Sequence, residues 1–98
     1  MIIVSQDKTE IINFNKVDNI YVSGKFISID FGLNNNEVIG QYATEERAKE
    51  VLINIGQCYC NTKSYEFVSN MPDYLGNKSD YLNKLSEKAV VYQMPKEW

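Results

Sequence analysis

The chain has no histidine, and Arg47 is the single arginine among its 98 residues. Imidazole is the side chain that most often moves protons near neutral pH. Without it, acid–base chemistry would fall to carboxylates with tuned pKa values. The two cysteines, Cys58 and Cys60, stand one residue apart. Two cysteines cannot staple a small secreted scaffold. A bridge between positions i and i+2 suits neither a helix nor a strand. Two thiolates without histidine also fall short of the four ligands of a structural zinc site. Free thiols are therefore expected, with no metal and no other cofactor. No apolar run approaches the roughly 20 residues that span a bilayer. The apolar residues 1–4 are too short for a leader core and lack a basic region before them. A cytoplasmic protein is expected. Nucleotide and nucleophile signatures are missing as well: there is no P-loop, dinucleotide fingerprint or G-x-S-x-G elbow. The ten cations are scattered and the formal net charge is −3, which argues against nucleic-acid or anionic-membrane binding.

What remains is an ordinary globular composition, 44% hydrophobic and 23% charged, sufficient for one domain with one modest core. Residues 1–43 read as five short strands with turns between them. Ile12 and Phe14 share one face of the second strand, with Ile11 and Asn13 on the other. Ile20 and Val22 oppose Tyr21 and Ser23 in the third. Gly24 and Lys25 form a two-residue loop with glycine first, as a type II′ turn prefers. In the fourth strand Ile27, Ile29 and Phe31 alternate with Phe26, Ser28 and Asp30. Residues 32–36 read as a loop. In the fifth strand Val38 and Tyr42 share a face opposite Ile39. Short strands at near-regular spacing predict an antiparallel meander.

At Thr44 the period changes. Thr44 is a good N-cap, and Glu45 and Glu46 follow where a helix dipole favours anions. Ala48, Val51, Leu52, Ile55 and Tyr59 make one apolar stripe, predicting a main helix over 45–60. Glu45 and Lys49 are spaced to pair on its outer side. Residues 61–98 read as an irregular segment, a short helix with Tyr81, Leu82 and Leu85 on its apolar side, and a last strand over 89–94. The predicted fold is α+β: an antiparallel sheet of five or six short strands packed on one main amphipathic helix, with a second short helix and a C-terminal strand, all in a single domain.

The chain carries 11 Asn, 10 Ile, 9 Lys and 7 Tyr, and Lys outnumbers Arg nine to one. All four have AT-rich codons, which points to a low-GC genome. Residues 1–8 (MIIVSQDK), 11–14 (IINF), 40–52 (GQYATEERAKEVL) and 92–97 (YQMPKE) resemble a family of short uncharacterised proteins. That family belongs to low-GC Gram-positive bacteria, their phages and mobile elements. The resemblance implies a phage or mobile-element setting, with the host cytoplasm as location. It transfers no catalytic residue.

The expected function is that of a non-enzymatic protein-binding module, an inhibitor of a host protein complex such as a defence complex. Tyr and Trp commonly anchor interfaces. Seven tyrosines and Trp98 exceed what so small a core hides. Tyr65, Phe67, Met71, Tyr74, Tyr81 and Trp98 are the candidate partner-binding residues, in or near the segment where local patterning fails. An alternative binding hairpin carries Tyr21, Lys25 and Phe26, whose rings and cation could also stack single-stranded nucleic acid. Asp30 and Glu37 could pair across their hairpin, although solvated surface charge accounts for both. Two other readings stay open: a homo-oligomer that binds or sequesters a nucleotide-like small molecule between subunits, and a structural module without ligand.

Overall fold

The computed structural model describes residues 1–32, 35–70, 78–86 and 89–96, with the side chains of 85 and 86 excepted. Within them lie six strands and two α-helices: β1 (Ile2–Val4), β2 (Ile11–Asn13), β3 (Asn19–Ser23), β4 (Phe26–Gly32), β5 (Asn35–Gln41), α1 (Glu45–Ser69), α2 (Lys78–Ser86) and β6 (Val91–Gln93). The α+β class stands. The strands do not form one meander, however. They make two three-stranded sheets, ordered β2-β1-β6 and β3-β4-β5.

The β3-β4-β5 sheet is antiparallel, and Ser23 pairs with Phe26 across the two-residue loop. Gly24 has φ +60° while Lys25 stays at negative φ, as a glycine-first II′ turn requires. β4 and β5 run further toward each other than the expected loop over 32–36, with Gly32 already paired to Asn35. A bulge corrects the face assignment in β5. Ile27 pairs with Gly40 and Ser28 with Val38, which leaves Ile39 as the extra residue. One extra residue shifts the alternation, so Ile39 and Tyr42 are buried and Val38 faces out at 55% exposure. Phe31 is also exposed, beyond a second register shift. Ser28 is buried on the outer face, where it lies between Tyr21 and Val38.

The other sheet is mixed. β1 pairs antiparallel with β2 and parallel with β6, Ile3 lying opposite Tyr92. Gln6 joins the two sheets. Its backbone N–H donates to Ile39 O at 3.1 Å. Its side-chain amide donates to Gln41 O and accepts from Gln41 N, both at 2.7 Å, extending the β5 edge as a strand residue would. The Tyr42 hydroxyl donates to Pro95 O at 3.1 Å and closes the same corner. Gly40 is needed there: a Cβ at this position would lie 2.6 Å from Met94 Cε.

α1 starts as expected, with Thr44 Oγ1 accepting from Arg47 N at 3.1 Å. Glu45 and Lys49 pair at 3.5 Å on its exposed side. The helix then runs on to Ser69, 25 residues in all, well past residue 60. At 1.5 Å per residue that is roughly 37 Å, against a longest molecular dimension of 47 Å. The segment from 61 onward is therefore helix as far as Ser69, not irregular chain. The buried stripe also differs in detail. Ala48, Val51, Ile55, Cys58 and Thr62 face the sheets, while Leu52 is half-buried and Tyr59 exposed at the flank. Tyr59 packs its ring against Phe14, 5.4 Å between centroids. The core joins this stripe to Ile3 and Ile12 of one sheet and Ile27, Ile29 and Ile39 of the other, with Tyr42 and Met94 between.

Candidate functional site

The side of α1 facing away from the sheets is the most distinctive surface. Buried positions recur at spacings of three and four, so residues two apart from them point to the opposite side. Ile55 is 1% exposed, and Ile53, one and a half hundred degrees or more around the helix, is 61% exposed. Gly56, Gln57, Cys60, Ser64 and Phe67 continue that outer side, and all are exposed. Phe67 is 69% exposed, an unusual setting for a phenyl ring. No charged residue occurs between Glu50 and Lys63.

Thr62 marks where α1 parts from the sheets. Its hydroxyl donates to Cys58 O at 2.8 Å and accepts from Val90 N at 2.7 Å. Val90 has φ +74°, a strained value for a β-branched residue. The threonine thus pins the entry to β6 in a conformation that Val does not favour. Past Thr62, α1 packs on α2, and Lys78 Nζ reaches Ser69 O at 2.9 Å. A shallow groove of about 560 Å³ forms there between Lys63, Ser64, Phe67, Val68 and Tyr81. A second groove, about 580 Å³, lies further back along α1 between Ile53, Gly56, Gln57, Cys60 and Asn61.

Of the sequence-predicted partner-binding residues, Phe67 and Tyr81 come together in one groove, Tyr81 being 49% exposed. Tyr65 is half-buried and does not line it. Met71, Tyr74 and Trp98 lie outside the described residues. Leu82 is half-buried on α2. Ile53 was not among the predicted residues, although the seven-residue spacing of Ile53, Cys60 and Phe67 was present in the sequence as a signal. On the alternative hairpin, Tyr21 and Phe26 do share the outer face of the β3-β4-β5 sheet, near Val38, with Lys25 exposed at the turn.

A polar cavity of about 210 Å³ lies where the sheets meet, lined by Asp7, Glu10, Glu37 and Gln41 among others. Asp30 and Glu37 do not pair across their hairpin, in line with the reading of both as surface charge. Asp30 lies opposite Asn36 and accepts from Gly32 N at 2.9 Å, while Glu37 turns to Glu10. A hydrogen bond with the Glu10 carboxyl raises the Glu37 pKa above its ordinary 4.5, assisted by partial burial and by repulsion from Glu10 and Asp7. Asp7 is shifted down instead, because the Thr9 hydroxyl and N–H and the Ser5 hydroxyl all donate to it. Burial raises the Cys58 thiol, and Cys60 is a free, exposed thiol. Among the described residues no group of three or more His, Cys, Asp or Glu could hold a metal ion. No helix among them is long and apolar enough to cross a membrane. Comparison with protein-family models, with curated proteins and with solved structures finds no match to this chain.

Proposed function

We propose that this chain is a non-enzymatic protein-binding module whose docking surface is the outer side of α1 together with α2. The observation that carries this reading is the exposed pair Phe67 and Tyr81 on one groove. Large rings set on packed helices are typical interface anchors. The uncharged stretch over residues 51–62 continues the surface toward Ile53 with no ionised group to desolvate, and the groove's own Lys63 is paired with Glu66. In the phage or mobile-element setting implied by the sequence resemblance, the partner is a host protein complex, with a defence complex as the leading example, and the chain acts by inhibiting it. The test is capture from host lysate on the immobilised chain. Phe67→Ala and Tyr81→Ala should each lose the captured protein while melting as wild type does. Ile11→Ala, an exposed change on β2 at the other side of the fold, should retain it. Undiminished capture by both ring variants would refute the assignment of this surface.

A further inference from the structure

The outer side of α1 is nearly palindromic. Cys60 sits at its centre, with Ile53 seven residues before it and Phe67 seven after. Gly56 and Ser64 stand four residues to either side. These offsets keep all five on one helical side, and the two large side chains fall about 10 Å from the centre in opposite directions. From this geometry we infer that a second copy of the chain docks here, its α1 antiparallel to the first, with the two-fold axis passing at Cys60. The inference rests on the reading of this side as a docking surface: the second copy and the host protein use the same side in turn, so each displaces the other.

A two-fold interface must be complementary to itself, and this one is. Ile53 of each protomer meets the partner's Phe67. The glycine and serine lie level with each other and let the two backbones approach. The groove at Ile53, Gly56 and Cys60 is about 580 Å³, and the one at Ser64, Phe67 and Tyr81 is about 560 Å³. They flank the axis on either side, so each receives the large side chain that stands in the other. Charge agrees with the same register. Between positions 50 and 70 the charged residues are Glu50, Lys63 and Glu66. They come level with the partner's Asn70, Gln57 and Asn54, each an amide, so no like charges meet. Gly56 gives an independent reason. A glycine inside a helix weakens it, and a Cβ added here would meet nothing within 4 Å. The chain's own packing has no use for the missing side chain, whereas a second helix crossing at this level does.

The experiment is a solution-mass series over concentration under reducing conditions. Wild type should rise from 11.3 kDa toward twice that mass. Ile53→Glu and Phe67→Lys should each stay monomeric and should melt as wild type does at concentrations low enough for wild type to be monomeric, since association itself stabilises the folded chain. Mixing these two variants should restore the doubled mass, because one seam then holds the new Glu–Lys pair and the other keeps Ile against Phe. Mild oxidation should link wild-type dimers through Cys60. Cys60→Ser should abolish the link and Cys58→Ser should not. A wild-type monomer at every concentration, a dimer that survives both charged variants, or a mixture that stays monomeric would overturn the inference. The two readings also fail separately. A monomeric wild type whose Phe67→Ala variant loses capture rejects the dimer alone. A dimer with the Cys60 link whose Phe67→Ala and Tyr81→Ala variants still capture the host protein rejects only the assignment of host binding to this surface.

Discussion

Ile53 and Ile55 offer the sharpest comparison within one helix. Both become alanine, so the change in helix propensity and in side-chain volume is the same, and only the surroundings differ. Ile55 is 1% exposed and touches the core shared by both sheets. Removing its outer carbons loses their burial and leaves a cavity, which costs about 2–5 kcal/mol. A domain of this size shifts its melting point by roughly 4–8 °C per kcal/mol. Ile55→Ala should therefore melt about 8–40 °C lower, or fail to fold in the warm. Ile53 is 61% exposed. There the same change, measured where the chain is monomeric, should stay within about 0.5 kcal/mol, with the better helix propensity of alanine acting in its favour. Circular dichroism at 222 nm during urea and thermal unfolding measures both. The urea slope should be alike in the two variants, since neither alters the compactness of the fold. Equal losses at the two positions, or a larger loss at Ile53, would refute the assignment of inner and outer sides on which the site rests.

Thr62→Val keeps the side-chain shape and deletes the hydroxyl that accepts from Val90 N, so urea unfolding should show a loss of about 1–3 kcal/mol. The same experiment on Val90→Gly should show a gain, because glycine adopts φ +74° without the strain that valine bears. Glu37 binds its proton more tightly when folded, since its pKa is raised above 4.5 by the Glu10 hydrogen bond. Its contribution to stability is then fully present below 4.5 and is lost as pH rises through the folded-state value. Glu37→Gln should therefore flatten the pH dependence of the melting point in the interval just above 4.5; an unchanged slope there would separate Glu37 from that titration. At concentrations where the chain is monomeric, Gly56→Ala should raise the melting point by the equivalent of about 0.5–1 kcal/mol, as for a helix-interior glycine with open space around it; where two copies pair, the added methyl should weaken the pairing.

The strands β3 and β4 and their turn were legible because alternation, β-branched residues and a glycine-first loop all agree there. β5 was legible only as a strand, because its bulge at Ile39 inverts the faces without leaving a mark in the pattern. The junction between the two sheets depends on Gln6 and Gln41, residues that read as ordinary surface amides until β1 and β5 are brought together. The parallel pairing of β6 with β1 joins the two ends of the chain, a choice made by tertiary contact and not by local sequence. α1 looked shorter because its later buried positions are Cys58 and Thr62, residues that do not register as an apolar stripe. That same misreading placed Phe67 in irregular chain. The helix instead fixes it next to Tyr81 and in line with Ile53, and turns Tyr65 away from that groove.

Phe67→Ala, followed for stability and for binding on the same preparation, tests the central claim most directly. The ring is 69% exposed, so its loss should leave the melting point within about 4 °C of wild type. As an anchor it should lower affinity for the captured partner by about 2 kcal/mol or more, roughly thirtyfold. A stable variant that no longer binds is the predicted result. A variant that binds as before, or one that melts far below wild type because the ring belongs to the core, would contradict the account.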